Sequence, residues 1–380
     1  MPAFLALLAT VAQATAPVDT LEEAWSTSRH EDEAFFRPVG AIVTDAEEVW
    51  VLDGGNSTIY VYDLAGTPVR TIGRRGGGPG EFVTPSPLLE RGDSILVWDR
   101  RQQRVTFLDL AGDYLGSREV AVVPPSHGFV RTLRVRGDTT WIFTDNYPGD
   151  EPPNDESLSE IWRFVGRTLE GRRIFKVPGR EIRIKRLSSW SSRHPAPFAR
   201  APFLEFLPDG GFLYGNSGYA NFLRFDENLA PVDTIRLELP RLDVLPAERA
   251  AFSDSVRQAL EADFSRAGVG PTYRERYRRE LRPFLESMEF PEQHQAYLLV
   301  EVIDGLIWLS LPTPSTDRFH ELRSYSLSDG TPTSRVFIPK WGTLIEFDPS
   351  PHGLLVLEIS RENDERRVAM FGSVSTGRQQ

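Results

Sequence analysis

Three histidines occupy similar positions along this chain. His127, His194 and His294 each lie shortly before a segment whose residue types are typical of β-strands. If the fold brought these positions together, three imidazoles could bind zinc and activate a water molecule or polarise a ligand. Their spacing matches no local metal-binding motif, so independent surface histidines are the alternative. The sequence leaves both interpretations open.

A strongly basic segment is the largest electrostatic anomaly of the sequence. Residues 161–200 contain eleven lysines and arginines against two acidic residues, although the whole chain has a formal net charge of −11. Such a segment could bind an anionic ligand, a polyanion or an acidic partner. Solvated strand faces and loops, balanced by neighbouring carboxylates, are the alternative. The candidate ligand-binding residues within it are Arg183, Lys185, Arg186, Arg193 and His194.

Motifs for common catalytic chemistries are missing. The chain has no cysteine, which excludes disulfides, thiolate metal sites and cysteine catalysis. The glycine-rich segment 73–80 lacks the Lys-Ser/Thr of a phosphate-binding loop and precedes a strand, and neither a Gly-x-Ser-x-Gly elbow nor a His-Glu-x-x-His helix occurs. No cofactor and no catalytic residue are predicted. Oxygen ligands for calcium would have to come from residues such as Asp45, Asp53, Asp99, Asn216 and Glu301.

The net negative charge also excludes some classes of partner. Nucleic acids and anionic membranes attract cationic surfaces, so neither is expected to bind this chain. Beyond the N-terminus, no segment reaches the roughly 18 apolar residues that a membrane-spanning helix requires. A protein, a peptide or a glycan is left as the expected partner.

A repeat of 46 residues organises the first part of the chain. A shift by this length superposes Val51 on Val97, Asp53 on Asp99, and the segment Asp-Leu-Ala-Gly at 63–66 on its copy at 109–112. Each copy has two short runs of consecutive apolar residues, which predict strands buried on both faces. The aspartates at the start of the two Asp-Leu-Ala-Gly segments are predicted to form turns. Sheets stacked around an axis explain this pattern.

Weaker copies of the same unit continue to the C-terminus and bring the count to six. The 30 glycines and 29 prolines favour many short strands with tight connections. A period of four residues in two segments predicts a helical hairpin inserted between blades 4 and 5, at about 245–289. A strand from Leu21–Arg37 is expected to close the ring. The sequence therefore predicts an all-β, six-bladed β-propeller that forms one domain over residues 17–380.

Several segments resemble known propeller families. The sequence TIGRRGGGPGEFVTPSPL at 71–88 looks like the linker and strand start of NHL-type repeats. PFARAPF at 197–203, FPE at 290–292 and DGLIWL at 304–309 resemble an uncharacterised bacterial family of six-bladed β-propellers. The resemblance implies the fold and not the chemistry, because this fold hosts lyases, lactonases, receptors and scaffolds.

The N-terminus predicts export. Residues 4–11 form a short apolar run, and Ala14-Thr15-Ala16 offers small residues for signal peptidase, so residues 1–16 are predicted to be a signal peptide. No lysine or arginine precedes the apolar run, which leaves a buried N-terminal segment as the alternative. The predicted function is a secreted or periplasmic binding module without enzymatic activity. The alternative is a metal-dependent hydrolase or lyase that uses zinc or calcium in the central channel.

Overall fold

The computed structural model describes residues 18–27, 35–120, 129–146, 156–165, 171–186, 191–266, 270–287, 289–314, 316–360 and 365–372. The predicted signal peptide and His127 lie outside these residues. The two helices are α1 (Pro246–Arg266) and α2 (Pro271–Glu286). The strands are β1 (Val18–Thr20), β2 (Glu23–Thr27), β3 (Pro38–Val43), β4 (Glu48–Asp53), β5 (Thr58–Asp63), β6 (Pro68–Ile72), β7 (Pro85–Arg91), β8 (Ser94–Asp99), β9 (Arg104–Asp109), β10 (Tyr114–Glu119), β11 (Phe129–Arg136), β12 (Thr139–Asn146), β13 (Glu156–Val165), β14 (Arg172–Arg186), β15 (Ser191–Pro195), β16 (Pro202–Phe206), β17 (Phe212–Asn216), β18 (Asn221–Phe225), β19 (Pro231–Arg236), β20 (Leu299–Ile303), β21 (Leu306–Leu311), β22 (Phe319–Ser326), β23 (Pro332–Pro339), β24 (Thr343–Ser350), β25 (Gly353–Ile359) and β26 (Arg366–Phe371).

The described strands form six sheets of four or five strands each. In the sheet β3-β4-β5-β6, consecutive strands are antiparallel neighbours. In β4, Val49 and Val51 pack in the apolar core on one side of the sheet, while Trp50 and Leu52 pack in the core on the other side. All four side chains are fully buried. A run of consecutive apolar residues therefore serves two cores at once, as the sequence predicts.

The innermost strands of the six sheets close a ring. β3 contacts β7, and the series continues through β11, β16, β20 and β24 back to β3. Consecutive strands run in opposite directions, so the β17–β18 and β19–β20 connections lie at the same end of their sheet. The β19–β20 connection contains both helices. We call this side of the ring the helix-bearing face.

The two N-terminal strands complete sheets whose other strands come from the C-terminal part of the chain. β1 pairs in parallel with β23, and β2 pairs antiparallel with β26. Counted from the N-terminus, blade 1 is β1 with β20–β23, blade 2 is β2 with β24–β26, and blades 3 to 6 are β3–β6, β7–β10, β11–β15 and β16–β19. The expected closing strand between Leu21 and Arg37 is β2. This pairing covers sheet edges that would otherwise be open.

The predicted position of the helices needs a correction. Both helices lie within the predicted segment 245–289, but they follow β19, the last strand of blade 6, instead of lying between blades 4 and 5. The sequence repeats do not include β1 and β2, which join blades 1 and 2 by pairing with strands distant in sequence. The first repeat of the sequence is therefore blade 3 of the structure, and the predicted blades 4 and 5 correspond to blades 6 and 1. None of the described helices is long and apolar enough to cross a membrane.

Four aspartates fix connections between strands. Oδ1 of Asp63 accepts the N–H groups of Ala65 and Thr67 at 3.0 and 2.8 Å, and Asp109 makes the equivalent contacts, which confirms the predicted turns. Asp53 and Asp99 are fully buried, and each accepts four backbone N–H groups from loops on the helix-bearing face. Their oxygen atoms thus hold loops in place.

A buried ionic cluster joins the two blades that contain the N-terminal strands. Glu358 of β25 is fully buried and accepts hydrogen bonds from Arg367 Nε at 3.0 Å and Nη2 at 2.8 Å. His320 Nε2 of blade 1 lies 3.0 Å from Glu358 Oε1, and Arg367 Nη1 donates to Glu23 of β2 at 2.9 Å. We call Glu23, His320, Glu358 and Arg367 the closure cluster, because they connect blade 1, blade 2 and an N-terminal strand.

Candidate functional site

A cleft opens between blades 5 and 6 and has a volume of about 400 Å³. We call it the blade cleft. Its aromatic and amide side chains come from blade 6, and residues of β14 form its opposite wall. The residues that line it include Pro178, Gly179, Glu181, Arg200, Tyr214, Asn216, Tyr219, Asn221 and Leu223.

The alternation of side chains in two neighbouring strands builds the blade cleft. Tyr214 and Asn216 are two positions apart in β17, and Asn221 and Leu223 are two positions apart in β18. Tyr214 lies directly opposite Leu223, so all four side chains project from one face of blade 6. Tyr219, in the connection between the strands, is 57% exposed. A regular hairpin thus presents two tyrosines and two amides on one wall.

The polar groups of the blade cleft are held by local hydrogen bonds. Asn216 Oδ1 accepts the N–H of Gly218 at 3.0 Å, and the Asn216 side chain also hydrogen-bonds to Tyr214. Burial raises the pKa of the Tyr214 hydroxyl, so this group is a neutral donor and acceptor across the physiological pH range. Among the described residues, the amide of Asn221 has no hydrogen-bond partner. It is available to a ligand.

A second cleft of about 420 Å³ adjoins the first at the base of the helical insertion. We call it the loop cleft. Arg200 and Glu181 line both clefts and form the wall between them, with Arg200 Nε 3.7 Å from Glu181 Oε1. The other side chains of the loop cleft include Phe198, Arg241, Glu289, Phe290, Glu292 and His294.

The helical insertion is anchored beside the loop cleft by one of the predicted metal ligands. His294 Nε2 lies 3.0 Å from Glu248 Oε2 of α1, and both side chains are nearly buried. The His294 ring packs edge-on against Phe198, with the ring centres 4.7 Å apart. Phe198 in turn contacts Phe252 and Phe290. His294 therefore connects the insertion to the propeller through an acidic partner and an aromatic cluster.

The five candidate ligand-binding residues of the basic segment lie on one two-stranded ribbon. β14 and β15 pair antiparallel, with Arg183 opposite His194 and Ile184 opposite Arg193. Lys185 and Arg186 continue β14. The ribbon starts and ends at the clefts, because Ala196 N–H donates to Glu181 O at 3.0 Å. The backbone thus brings these residues together on one ribbon whose base adjoins the clefts, and their role as ligand contacts stays a prediction.

Carboxylates from four blades face one another around the central axis. They are Glu90 of β7, Glu205 of β16, Glu301 of β20, and Glu346 and Asp348 of β24. Arg91 of blade 4 reaches across the channel to Glu205 of blade 6, with 2.7 Å between Nη2 and Oε1. Asp348 accepts the N–H of Val43 at 2.6 Å. Asp348 and Glu346 thus accept the N–H groups of Val43 and Ala41 in β3.

Burial controls the ionisation of these axial carboxylates. It raises the pKa of all five, to about 8 for Glu346 and about 7 for Asp348. Repulsion by neighbouring carboxylates adds to the effect at Glu301. The side chains keep some contact with the channel, for example 17% of the Glu205 side-chain surface. At neutral pH, part of this cluster therefore carries protons.

Comparisons with known proteins agree with the architecture. Residues 30–145 match the model of a family described as DUF5128, 6-bladed beta-propeller. The chain is a six-bladed β-propeller. This match confirms the resemblance to propeller families that the sequence motifs indicate. No curated protein matches the chain significantly in sequence.

Solved structures are similar to this propeller along most of its length. A member of the DUF4221 family from Bacteroides vulgatus has 10% identity and a TM-score of 0.52, and the match covers 92% of this chain and 97% of that one. A putative exported protein from Bacteroides fragilis has 13% identity and a TM-score of 0.47, with 95% and 100% covered. The calcium-binding protein regucalcin from Agrobacterium tumefaciens has 13% identity and a TM-score of 0.45, with 95% and 98% covered. At these identities the likeness shows the fold alone.

Of the three histidines predicted to bind a metal, the structure describes only the side chain of His294. His127 lies outside the described residues, and nothing is described of the His194 side chain. Across the described ranges, no three His, Asp or Glu side chains are placed to hold one metal ion. Metal-dependent catalysis in the channel remains the alternative prediction. Elemental analysis of protein purified without chelators tests it, and stoichiometric zinc or calcium would support it.

The sequence does not single out most of the cleft residues of the propeller. Tyr214, Asn221 and Arg241 lie in ordinary-looking strand and loop segments, and they share no motif. A usable signal is that Tyr214 and Asn216, two positions apart in β17, place polar atoms on a blade face that is expected to be apolar.

Proposed function

We propose that this protein is an exported binding propeller that takes its ligand in the blade cleft and the adjoining loop cleft. The observation that carries this proposal is the pair of clefts, of about 400 and 420 Å³, that share the Arg200–Glu181 wall. Clefts of this size fall within the usual range for ligand sites. A short peptide or an oligosaccharide fits their dimensions.

The lining of the blade cleft supports a role in recognition. Tyr219 offers an exposed ring, over which the Arg200 guanidinium lies at 5.9 Å from the ring centre. The amides of Asn216 and Asn221 add donors and acceptors. Tyrosine, arginine and asparagine are enriched in binding surfaces, since they combine large contact areas with adaptable hydrogen bonding.

Exposed aromatic residues on the helix-bearing face also favour this proposal. Phe36 is 77% exposed, in the connection that precedes β3. Phe319 and Trp341 are 40% and 36% exposed, at the start of β22 and just before β24. Like Tyr219, these three residues lie in strand connections or at strand ends on the helix-bearing face. Large exposed aromatic side chains are typical of binding surfaces, which supports a binding role for this face.

Substitution of the cleft residues tests the proposal. We expect Tyr219→Ala and Asn221→Ala each to weaken binding about tenfold, the loss of roughly 1.4 kcal/mol that one good contact provides. The mature protein would be screened against glycan and peptide arrays, and the affinity of each hit would be measured by isothermal titration calorimetry. Tyr219 lies in an exposed connection, and the Asn221 amide has no hydrogen-bond partner among the described residues, so the variants should unfold near the wild-type temperature.

Tyr114→Ala is the matched control for Tyr219→Ala. Tyr114 is also an exposed tyrosine, at 40%, but it lies in β10 of blade 4, away from both clefts. Its removal should leave the affinity unchanged. Equal losses in the control and the cleft variants would contradict the location of the site. The proposed role would be contradicted if the mature protein converted a substrate and bound no ligand that it leaves chemically unchanged.

Export has its own test. We expect signal peptidase to cleave after Ala16, because Ala14 and Ala16 are small residues at the positions that the peptidase requires. Expression of the full chain in a Gram-negative host should then give a periplasmic protein that begins at Pro17. Intact mass and N-terminal sequencing measure this directly. Unprocessed protein in the cytoplasmic fraction would contradict export.

A further inference from the structure

The loop cleft contains charged side chains without partners in the protein. Arg241, Glu289 and Glu292 are exposed and line this cleft. Among the described residues, none of the three side chains forms an ion pair or a hydrogen bond. The other charged groups of the cleft are paired, since Arg200 lies next to Glu181 and His294 next to Glu248. One cation and two anions thus remain available to a ligand.

An apolar wall stands beside these charges. Phe198 and Phe290 line the cleft with their ring centres 6.2 Å apart, and Arg249 lies over the Phe290 ring at 5.9 Å. The backbone of Phe198 has φ of 51°, a left-handed conformation that bulky residues rarely adopt. Its ring contacts with Phe252, Phe290 and His294 hold this conformation in place. Strained residues held in this way concentrate at binding sites.

The charge pattern discriminates between classes of ligand. A polyanion would be repelled by Glu289 and Glu292, and a polycation by Arg241. A neutral glycan would leave all three charges without partners. A peptide that carries an acidic and a basic group satisfies both signs, and its apolar portions can contact the phenylalanine wall. The two clefts lie on either side of Arg200 and Glu181, so an extended segment can contact both.

We propose that the loop cleft binds a short peptide segment with one acidic and one basic group, the acidic group at Arg241 and the basic group at Glu289 and Glu292. This inference rests on the proposed function, because it specifies the ligand of the same binding face. It assigns the charged part of the ligand to the loop cleft, and the aromatic and hydrogen-bonding part to the blade cleft.

An array of synthetic hexapeptides tests the inference. Their four central positions would carry every combination of Lys, Glu, Tyr and Ala, and the probe would be the full mature protein. We expect peptides with both Lys and Glu to bind best, and their binding to weaken between low and high salt, because exposed charges are screened. Arg241→Met should abolish the preference for Glu, and Glu292→Gln should reduce the preference for Lys, by about fivefold to tenfold.

Two variants on the same face serve as controls. Arg318→Met and Asp317→Asn change exposed charges near β22, away from both clefts, and should keep both preferences. Charge preferences that survive in Arg241→Met and Glu292→Gln would overturn the inference. Binding to a glycan array without binding to any hexapeptide would also overturn it, while the proposed function would stand. Failure to bind either array would contradict both.

Discussion

Glu358→Gln should lower the free energy of unfolding at pH 7 by about 3–5 kcal/mol, the cost typical of breaking a buried ion pair. Glu358 is fully buried and neutralises Arg367, which is 7% exposed. It also accepts the N–H groups of Trp341 and Gly342 at 3.1 and 3.2 Å. Glutamine keeps the shape of the side chain but removes its negative charge. Glu23 is then the remaining ion-pair partner of the Arg367 guanidinium. Guanidinium chloride unfolding of both proteins measures the difference.

The same variant has a defined pH dependence. Burial by itself would raise the pKa of the Glu358 carboxyl, but the hydrogen bonds from His320 and Arg367 outweigh this effect and hold the pKa at about 2. A carboxyl whose pKa is lower in the folded state stabilises the protein above its unfolded pKa of about 4.5, and this contribution falls as the pH decreases towards 2. The difference between wild type and variant should therefore shrink between pH 5 and pH 2.5.

Asp233→Asn is the control for the closure cluster. Asp233 pairs with Arg224 at the surface of blade 6, where the two side chains are 38% and 28% exposed. Surface pairs contribute little, so we expect a loss below about 1 kcal/mol. A similar loss in both variants would show that the closure cluster has no special role. A loss at Glu358 that stays constant with pH would show that its charge is not the stabilising feature.

The axial carboxylates should have the opposite pH dependence. Glu346→Gln and Asp348→Asn are expected together to raise the free energy of unfolding at pH 8.5 by several kcal/mol, and to change it little at pH 4. Burial raises the pKa of Glu346 to about 8 and that of Asp348 to about 7, so the folded protein holds protons that the unfolded chain releases near pH 4 to 4.5. Wild-type stability therefore falls as the pH rises from about 4 to 8.

The substitutions keep the hydrogen bonds that the protonated carboxyls make. The amide oxygens of the new side chains can still accept the N–H groups of Ala41 and Val43. Because the neighbouring carboxylates titrate together, the measurement should follow unfolding free energy over the whole pH range. Asp317→Asn, at an exposed loop position, is the control and should have no such effect. Equal stability of wild type and double variant at pH 8.5 would contradict the proton-holding channel.

The sequence alone determines the architecture of this protein because the relevant signal is local. Runs such as Val49–Leu52 and Ile95–Trp98 show within four residues that a strand is buried on both faces. Asp63 and Asp109 predict their own turns, because each carboxylate bonds to N–H groups two and four residues further on. Repetition of these local signals leads to the ring.

Tertiary structure decides what the sequence leaves open. Glu181, Tyr214, Arg241 and Glu292 form adjoining clefts only because blades 5 and 6 and the helical insertion meet in space. Glu301 and Glu346 are acidic residues in otherwise ordinary strands, and closure of the ring turns them towards a shared axis and raises their pKa values. The sequence also cannot show that β1 and β2 pair with β23 and β26, over 300 residues away. A residue pattern reports local burial, whereas contacts between distant segments exist only once the chain has closed.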